Sequence, residues 1–287
     1  MQSSTIRRIL GFVLPRACDE APSRGAQQSR RRVGVAVLVA ATGFLCILGS
    51  PSADCIDYGD YLHWVGGVAT PAHARRVVVS GSHAYVAAQF SGLQVIDITE
   101  PRSPEIVGSV DTPGDALEIA VAGTHAYIAD ADSGGLQVID ITDPASPRLV
   151  GGVGTPGAAV GVAVSGTYAY VADFGSGLQV IDITDSASPQ IVGSVDTPGD
   201  AYGVAISGTC AYVADYTSGL QVIDITNPVS PQIVGSVDTP SAAYGVTVAG
   251  TWAYVADWGS GVQVIDIADP SNPRSWVASK RPGMPGM

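Results

Sequence analysis

Short apolar runs rich in valine, isoleucine and tyrosine follow one another along most of this chain, and each run ends in a cluster of glycine, proline, aspartate, asparagine or serine. Runs of this length with such breaks predict β-strands joined by tight turns. The stretch 190–227 shows the pattern most clearly. Its four predicted strands are Ile191–Val195, Tyr202–Ile206, Cys210–Ala214 and Leu220–Ile225.

This four-strand unit recurs along the chain. The phrase Gly-Leu-Gln-Val-Ile-Asp-Ile-Thr begins at Gly92, Gly135, Gly177 and Gly219, and a variant of it begins at Gly261. The steps between copies are 43, 42, 42 and 42 residues. A fixed period of about 40–45 residues with strand-rich units is typical of a β-propeller or a similar array, in which each unit is one blade. The predicted fold class is therefore all-β, a β-propeller of four-stranded blades.

The second strand of each unit consists mainly of small residues. It reads Gly161–Val164, Gly203–Ile206 and Gly245–Val248 in three of the copies. Small side chains suit the place where strands crowd around an axis, so we expect this strand to be the innermost of its blade. Apolar residues on both sides of the strands fit a blade that is sandwiched between two neighbours.

The motif Leu-Gln-Val-Ile-Asp-Ile, preceded in each copy by a sequence like Ala-Tyr-Val-Ala-Asp, resembles the LVIVD-repeat family of β-propeller proteins. The resemblance extends from Trp64 to Ser279 and agrees in period and motif in all five copies. It implies a propeller in a secreted or surface protein. It brings no catalytic residues to carry over to this chain.

The outer-strand phrase occurs once more than the other three strands, from Trp64–Gly67 to Trp276–Ser279. We expect five blades, with the first copy of the phrase completing the last blade as a clasp that closes the ring. A closed ring has no exposed sheet edges, which would otherwise invite aggregation. The alternative is a partial or open ring from a longer array.

Residues 1–52 differ from the rest of the chain, because they hold seven of its 14 basic residues and only two of its 26 acids. An uncharged run, Val33–Leu48, follows Arg30–Arg32 and ends in small residues. This order predicts a signal peptide that is cleaved after Ser52, and an uncleaved membrane anchor is the alternative. The predicted organisation continues with a linker at 53–63, the propeller at 64–279 and a tail at 280–287.

Cleavage would leave seven basic residues against 24 acids, a net charge near −17. Such a surface repels phosphates, so we expect no nucleic-acid partner and no membrane insertion beyond the N-terminal segment. The expected location is extracytoplasmic: secreted, periplasmic or at the cell surface. Only Cys55 and Cys210 would remain, and a disulfide between them is compatible with an oxidising compartment.

One set of aspartates recurs late in the fourth predicted strand of every copy. A carboxylate in an apolar strand has to be hydrogen-bonded or paired, and its repetition in every blade indicates a structural role. These structural aspartates are Asp97, Asp140, Asp182, Asp224 and Asp266.

A second set, Asp130, Asp173, Asp215 and Asp257, follows the third predicted strand, where the first copy has Ala88. Aspartate before a Ser-Gly turn usually accepts hydrogen bonds from backbone N–H groups.

Calcium is the alternative ligand for this second set, since the chain is acidic and its location is expected to be extracytoplasmic. Calcium needs six to eight oxygen ligands, and only Asp130 and Asp132 bring two carboxylates close together. We therefore expect no cofactor.

Binding residues are best sought where the copies disagree. The loops before the second strand and after the third strand reach the same face of a four-stranded blade, and both vary between copies. Arg76 and Glu118 occupy equivalent positions on adjacent blades, as a salt bridge or as a ligand anchor. The candidate binding residues on this face are Arg75, Arg76, Glu118, Phe174, Tyr202, Tyr216, Tyr244 and Trp258.

The sequence gives little support for catalysis. All four histidines (His63, His73, His83 and His125) lie in or before the first two copies, and no Ser-His-Asp order, zinc spacing or phosphate loop is present. We expect a secreted or cell-surface scaffold that binds an unidentified protein or glycan without catalysis. The alternatives are a propeller hydrolase or lyase acting on carbohydrate or peptide, and a truncated array without independent function.

Overall fold

The computed structural model describes residues 65–131 and 134–275, together with two short strands near the N-terminus. The chain divides into two units, Met1–Trp64 and Val65–Met287. In the first unit, β1 (Val37–Val39) pairs antiparallel with β2 (Leu45–Ile47). The predicted cleavage site and the linker lie outside the described residues, as does the tail. In the part of the chain that is described, no helix has the length and apolar character needed to cross a membrane.

The second unit contains five antiparallel sheets of four strands each, which confirms the all-β fold and the five blades. Blade one contains β3 (Arg76–Ser80), β4 (His83–Ala87), β5 (Leu93–Asp97) and β6 (Glu105–Val110). Blade two contains β7 (Asp115–Ala122), β8 (His125–Ala131), β9 (Gly135–Asp140) and β10 (Arg148–Val153). Blade three contains β11 (Gly161–Ser165), β12 (Tyr168–Ala172), β13 (Leu178–Asp182) and β14 (Gln190–Val195). Blade four contains β15 (Gly203–Ser207), β16 (Cys210–Ala214), β17 (Leu220–Asp224) and β18 (Gln232–Val237). Blade five contains β19 (Ala243–Ala249), β20 (Trp252–Asp257), β21 (Gly261–Asp266) and β22 (Arg274–Ser275).

Consecutive strands pair with each other inside every blade. In blade four, Leu220 lies opposite Val237, and Asp224 lies opposite Gln232. The outer-strand phrase, which is Gln232–Val237 in blade four, forms the last strand of its blade. Each blade therefore begins with the small-residue strand, which is the second strand of the predicted unit. The strand limits expected from the sequence of blades three and four differ from the observed ones by at most one residue at either end.

The small-residue strand is the innermost strand of each blade, as expected. The inner strands β3, β7, β11, β15 and β19 contact one another in this order. A β-carbon added to Gly161 would lie 2.5 Å from the carbonyl oxygen of Tyr202 on the next inner strand. Close approach of neighbouring backbones therefore requires glycine at this position.

The hydrophobic core lies between the blades. Between blades four and five, the side chains of Tyr212, Leu220 and Val222 pack against Val255 and Ile265. Equivalent clusters fill the other three interfaces. Burial of these faces is the main stabilising term, because burying one large aliphatic side chain contributes about 2 kcal/mol.

The array is open, and the expected clasp is wrong. In blade five, β21 pairs with β22, which follows it in the chain. The N-terminal stretch that was expected to close the ring packs against blade one instead, through Val68. A β-carbon on Gly66 would lie 2.3 Å from the carbonyl oxygen of Pro101 in blade one. The open-ring alternative is therefore correct for the described residues.

Candidate functional site

The candidate face lies at the end of the blades where the inner strand begins and the second strand finishes. Three residues there, Gln89, Phe174 and Tyr216, have left-handed backbones with φ of 39°, 45° and 46°. Residues other than glycine rarely adopt this backbone conformation, because it destabilises the folded state by on the order of 1 kcal/mol. Such strain persists only where the surrounding structure holds it, and it is common at binding sites.

Paired backbone hydrogen bonds between blades hold these strained residues. The N–H of Tyr216 donates to the carbonyl oxygen of Ala243 at 3.1 Å, and the N–H of Ala243 donates back at 2.9 Å. Phe174 and Ala201 exchange the same pair of bonds at 3.1 and 3.0 Å. Each ring is therefore fixed where one blade meets the next.

Five aromatic side chains form a continuous row across blades three to five, which we call the aromatic row: Phe174, Tyr202, Tyr216, Tyr244 and Trp258. The ring centroids of Phe174 and Tyr202 are 5.5 Å apart, and those of Tyr202 and Tyr244 are 4.6 Å apart. Tyr216 meets Tyr202 and Tyr244, both at 5.6 Å. Trp258 ends the row, 5.3 Å from Tyr244. Rings at these separations stabilise each other and limit each other's motion.

Two tyrosines of the row are uncharged at neutral pH. Burial raises the pKa of Tyr202 above the ordinary value for a phenol, and the nearby charge of Asp200 raises the pKa further. Burial also raises the pKa of Tyr244. Both hydroxyl groups therefore stay protonated and can donate hydrogen bonds to a bound partner.

A polar cluster occupies the same end of blades one and two: His73, Arg76, Gln89, Asp115 and Glu118. The side chain of Gln89 donates to Asp115 at 3.0 Å, and its oxygen lies 3.2 Å from Nδ1 of His73. Nε of Arg76 lies 2.8 Å from a carboxylate oxygen of Glu118. Arg75, the remaining candidate residue, is exposed beside this cluster.

The two members of the Arg76–Glu118 ion pair differ in exposure. The side chain of Arg76 is 60% exposed, whereas that of Glu118 is mostly buried. Burial raises the pKa of Glu118, and the Arg76 charge opposes this shift. Because most of the Arg76 side chain is exposed, its guanidinium group remains available to an anionic group of a partner.

The aspartates at the end of the second strand of blades two to five, or directly after it, bind the turns between blades. Asp215 accepts hydrogen bonds from the hydroxyl of Thr197 at 2.6 Å and from the N–H of Gly199 at 2.9 Å. Asp173 accepts equivalent bonds from Thr155 and Gly157. The donors belong to the Thr-Pro-Gly turn of the preceding connection, not to the Ser-Gly turn that follows the aspartate.

These carboxylates are almost completely buried. Burial raises the pKa of Asp130, Asp173 and Asp215, and the hydrogen bonds from threonine and glycine partly oppose the shift. Their oxygens point at donors of the protein itself. The protein's own hydrogen-bond donors therefore stabilise these buried carboxylates.

The aspartates at the end of the third strand also bind locally. Asp224 accepts hydrogen bonds from the N–H of Thr226 at 2.8 Å and from its hydroxyl at 2.5 Å. Asp97 and Asp140 bind Thr99 and Thr142 in the same way. The remaining two, Asp182 and Asp266, accept the N–H groups of Thr184 and Ala268. All five carboxylates therefore accept hydrogen bonds within the turn that follows the strand and stabilise it.

No group of three or more metal-binding side chains occurs among the described residues. Asp132, one half of the carboxylate pair weighed for calcium, lies outside them. Cys210 is a buried free thiol, and burial raises its pKa. Cys55, its proposed disulfide partner, also lies outside the described residues.

Sequence reasoning missed Gln89 as a member of the site. It stands where blades three and four have Phe174 and Tyr216, and it shares their left-handed backbone. A search for exposed aromatics could not find a glutamine. Alignment of the repeats would have found it, because Gln89 occupies the same repeat position as Phe174, Tyr216 and Trp258.

Comparison with known proteins supports the fold. The sequence profile described as LVIVD repeat matches five consecutive segments, at residues 71–112, 113–155, 156–197, 198–239 and 241–276. No curated protein matches the chain in sequence.

Two solved structures resemble the chain in fold. A functionally unknown protein from Desulfotomaculum acetoxidans DSM 771 is 15% identical, with a TM-score of 0.57 over 69% of this chain and 67% of its own. The computationally designed Ika8 protein is 13% identical, with a TM-score of 0.55 over 67% of this chain. The similarity covers 57% of the designed protein. At these identities the likeness concerns the fold alone.

Proposed function

We propose that this chain, which belongs to the LVIVD-repeat family, is a non-catalytic binding scaffold that docks a protein partner on its aromatic row. The continuity of the row carries the proposal. Five rings from three blades touch in sequence on one face, and two of them stand on strained backbones held by hydrogen bonds between blades.

The residue types of the row suit a protein interface. Tyrosine and tryptophan are enriched at the positions that dominate binding energy, because they bury a large area and lose little rotamer freedom. Trp258 is 80% exposed, so a partner could bury most of its ring. Arg76 and the rest of the polar cluster supply hydrogen-bonding groups at the same end of blades one and two, and polar groups of this kind form the rim of an interface.

The shape of the surface favours a large partner over a small molecule. A depression beside Tyr244, Asp257 and Trp258 has a volume of about 160 Å³. Sites that enclose small ligands usually have volumes of about 300–1,000 Å³. A shallow aromatic surface of this kind fits a macromolecule that lies across several blades.

The absence of catalysis is part of the proposal. A hydrolase or lyase on this face would need acids that converge on a substrate, and the buried aspartates here already accept hydrogen bonds from Thr155, Thr197 and the following turn residues. Glu118 is paired with Arg76. These pairings support binding over acid–base chemistry.

Extracytoplasmic location is a further part of the proposal. Arg30–Arg32, the uncharged run after them and the small residues before Ala53 support a cleaved leader. Amino-terminal sequencing of the protein purified from its source should give a start near Ala53. Recovery of the intact first 50 residues would favour an anchored protein instead.

Binding is tested with the variant Phe174→Ala/Tyr216→Ala, because both residues lie in internal blades. Wild type and variant are used to capture partners from the extracellular protein fraction of the source cells, and the affinity for a captured protein is then measured. We expect at least a tenfold loss of affinity, since two aromatic anchors are removed. Phe90→Ala, which removes an exposed aromatic outside the row, is the control and should bind like wild type.

Equal affinity of the double variant would refute the role of the aromatic row. A parallel screen against neutral oligosaccharides addresses the glycan alternative. If an oligosaccharide binds in a way that requires Phe174 and Tyr216 while no protein does so, a glycan replaces the protein as the partner.

A further inference from the structure

The free side of blade five exposes an apolar surface that every other blade buries. Leu220 and its equivalents in blades one to three are completely buried against the next blade. The corresponding residue of blade five, Val262, is 66% exposed. Ala256 is also exposed, although its equivalent Ala214 is completely buried.

The free side of blade one exposes the matching half of this interface. Val77 is 56% exposed, whereas its equivalent in blade two, Ile119, is buried against blade one. Ala74 is exposed, while the four alanines at its position in the other blades have no accessible surface. These four alanines are Ala116, Ala159, Ala201 and Ala243.

Residues 65–68 pack on the free side of blade one in the manner of a fourth strand. Val68 packs on blade one as Val237 packs on blade five. A β-carbon on Gly66 would meet Pro101 as closely as a β-carbon on Gly235 would meet Pro270, with separations of 2.3 and 2.2 Å from the carbonyl oxygens. Residues 65–68 therefore pack on the free side of blade one as the fourth strand of one blade packs on the next blade.

We propose that two copies of this chain join end to end, with blade five of one copy packed on blade one of the other. The contact repeats an interface that the chain already forms four times, which is why we assign a second copy to it.

The charged and aromatic groups at the two ends are also complementary. Tyr216 contacts Tyr244 across the interface between blades four and five. At the proposed contact, Trp258 stands in the place of Tyr216, and Arg75 of the other copy stands in the place of Tyr244. An arginine beside an indole ring forms a favourable cation–π contact.

The contact is head to tail, since each copy contributes a different surface. Such a contact generates rings when the rotation closes and open chains of copies when it does not. In both cases a copy with one blocked end can still use its other end. This property separates the proposal from a symmetric dimer.

The test measures the mass of the full chain in solution by size-exclusion chromatography with light scattering, over a series of concentrations. Wild type should form particles of at least two chains of 29.2 kDa. Val262→Glu and Val77→Glu should each reduce the mass to one chain, because each places a charge in one half of the contact. Val229→Glu is the matched control, since Val229 is 62% exposed in a loop of blade four, and it should keep the wild-type mass.

Mixing the two monomeric variants gives a sharper result. Val262→Glu retains an intact blade one and Val77→Glu retains an intact blade five, so the mixture should form particles of two chains and none larger. Circular dichroism should show native strand content in both variants, because the substituted side chains are exposed. A monomeric wild type, a mixture that stays monomeric, or equal disruption by Val229→Glu would overturn the proposal.

The proposal and the proposed function can fail separately. Phe174→Ala/Tyr216→Ala leaves both ends unchanged and should retain the mass of wild type. Val77→Glu leaves the aromatic row unchanged and should retain the protein partner.

Discussion

The carboxylate of Asp215 accepts a hydrogen bond of 2.6 Å from the hydroxyl of Thr197, 18 residues earlier in the chain. Asp215 follows the second strand of blade four, and Thr197 lies in the turn that enters this blade. The carboxylate thus ties the connection between two blades to the sheet that it leads into. Thr112 and Thr155 make the same bond with Asp130 and Asp173, which explains why the aspartate recurs.

Loss of this carboxylate should destabilise the array. Asp215→Ala removes the acceptor for Thr197 and Gly199, and the buried threonine hydroxyl is left without a partner. We expect the free energy of unfolding to fall by about 2–3 kcal/mol, as measured by urea denaturation. Asp196→Ala changes an exposed aspartate of the same turn and should alter stability by less than about 0.5 kcal/mol. Equal effects of the two substitutions would contradict this role for Asp215.

The pH dependence of stability should differ between the two sets of aspartates. Hydrogen bonds from the side chain and then the backbone of Thr226 lower the pKa of Asp224. A carboxyl group whose pKa is lower in the folded state stabilises the fold above its unfolded pKa of about 3.9. Asp224→Asn should therefore be less stable than wild type at neutral pH. The difference should disappear as the pH falls through the lowered pKa.

Asp215 should show the opposite trend, because burial raises its pKa in the folded state. Its contribution is fully present below the unfolded pKa of about 3.9 and declines as the pH rises through the raised value. The stability deficit of Asp215→Asn relative to wild type should thus be larger at pH 4 than at pH 7. Urea titrations at a series of pH values test both variants, and parallel pH profiles would show that the two environments do not differ.

Glycine in the fourth strand should be required for close packing of the blades. A β-carbon on Gly193 would lie 2.2 Å from the carbonyl oxygen of Pro228 in the next blade. Gly193→Ala should lower the free energy of unfolding by about 2 kcal/mol or more, because the backbones must move apart. Gly154→Ala is the control, since no atom lies within 4 Å of the added β-carbon. If both alanine variants are as stable as wild type, the neighbouring backbones can move apart without lowering the free energy of unfolding.

The terminal blades should open more readily than the central blade. Blade three packs against a neighbour on each side, whereas blades one and five each have one neighbouring blade. In arrays of this kind, each interface adds to the stability of the repeats that share it. Hydrogen exchange of the monomeric Val262→Glu variant should show stronger protection in β12 than in β20, by roughly tenfold or more. Uniform protection along the array would indicate that it unfolds as one unit.

The sequence by itself determined the strands, the blades and the position of the inner strand. Each depends on local chemistry that repeats: β-branched runs between turn residues form strands, and small residues such as Gly161 belong where backbones approach. Recurrence in five copies made the pattern recognisable, and it also marked Asp224 and its equivalents as structural residues. Variation among the copies singled out Tyr216 and Tyr244 as candidates for one face.

Only the tertiary structure decided whether the ring closes. Closure depends on the angle between neighbouring blades, which is set by how side chains such as Tyr212 and Ile265 fill each interface, and a small angular difference accumulates over the array. The sequence of one strand does not specify this angle. The stretch that ends at Thr70 was therefore expected on blade five, whereas it packs on blade one. The contact between the rings of Tyr202 and Tyr244 depends on the same angle, since the two residues lie in different blades.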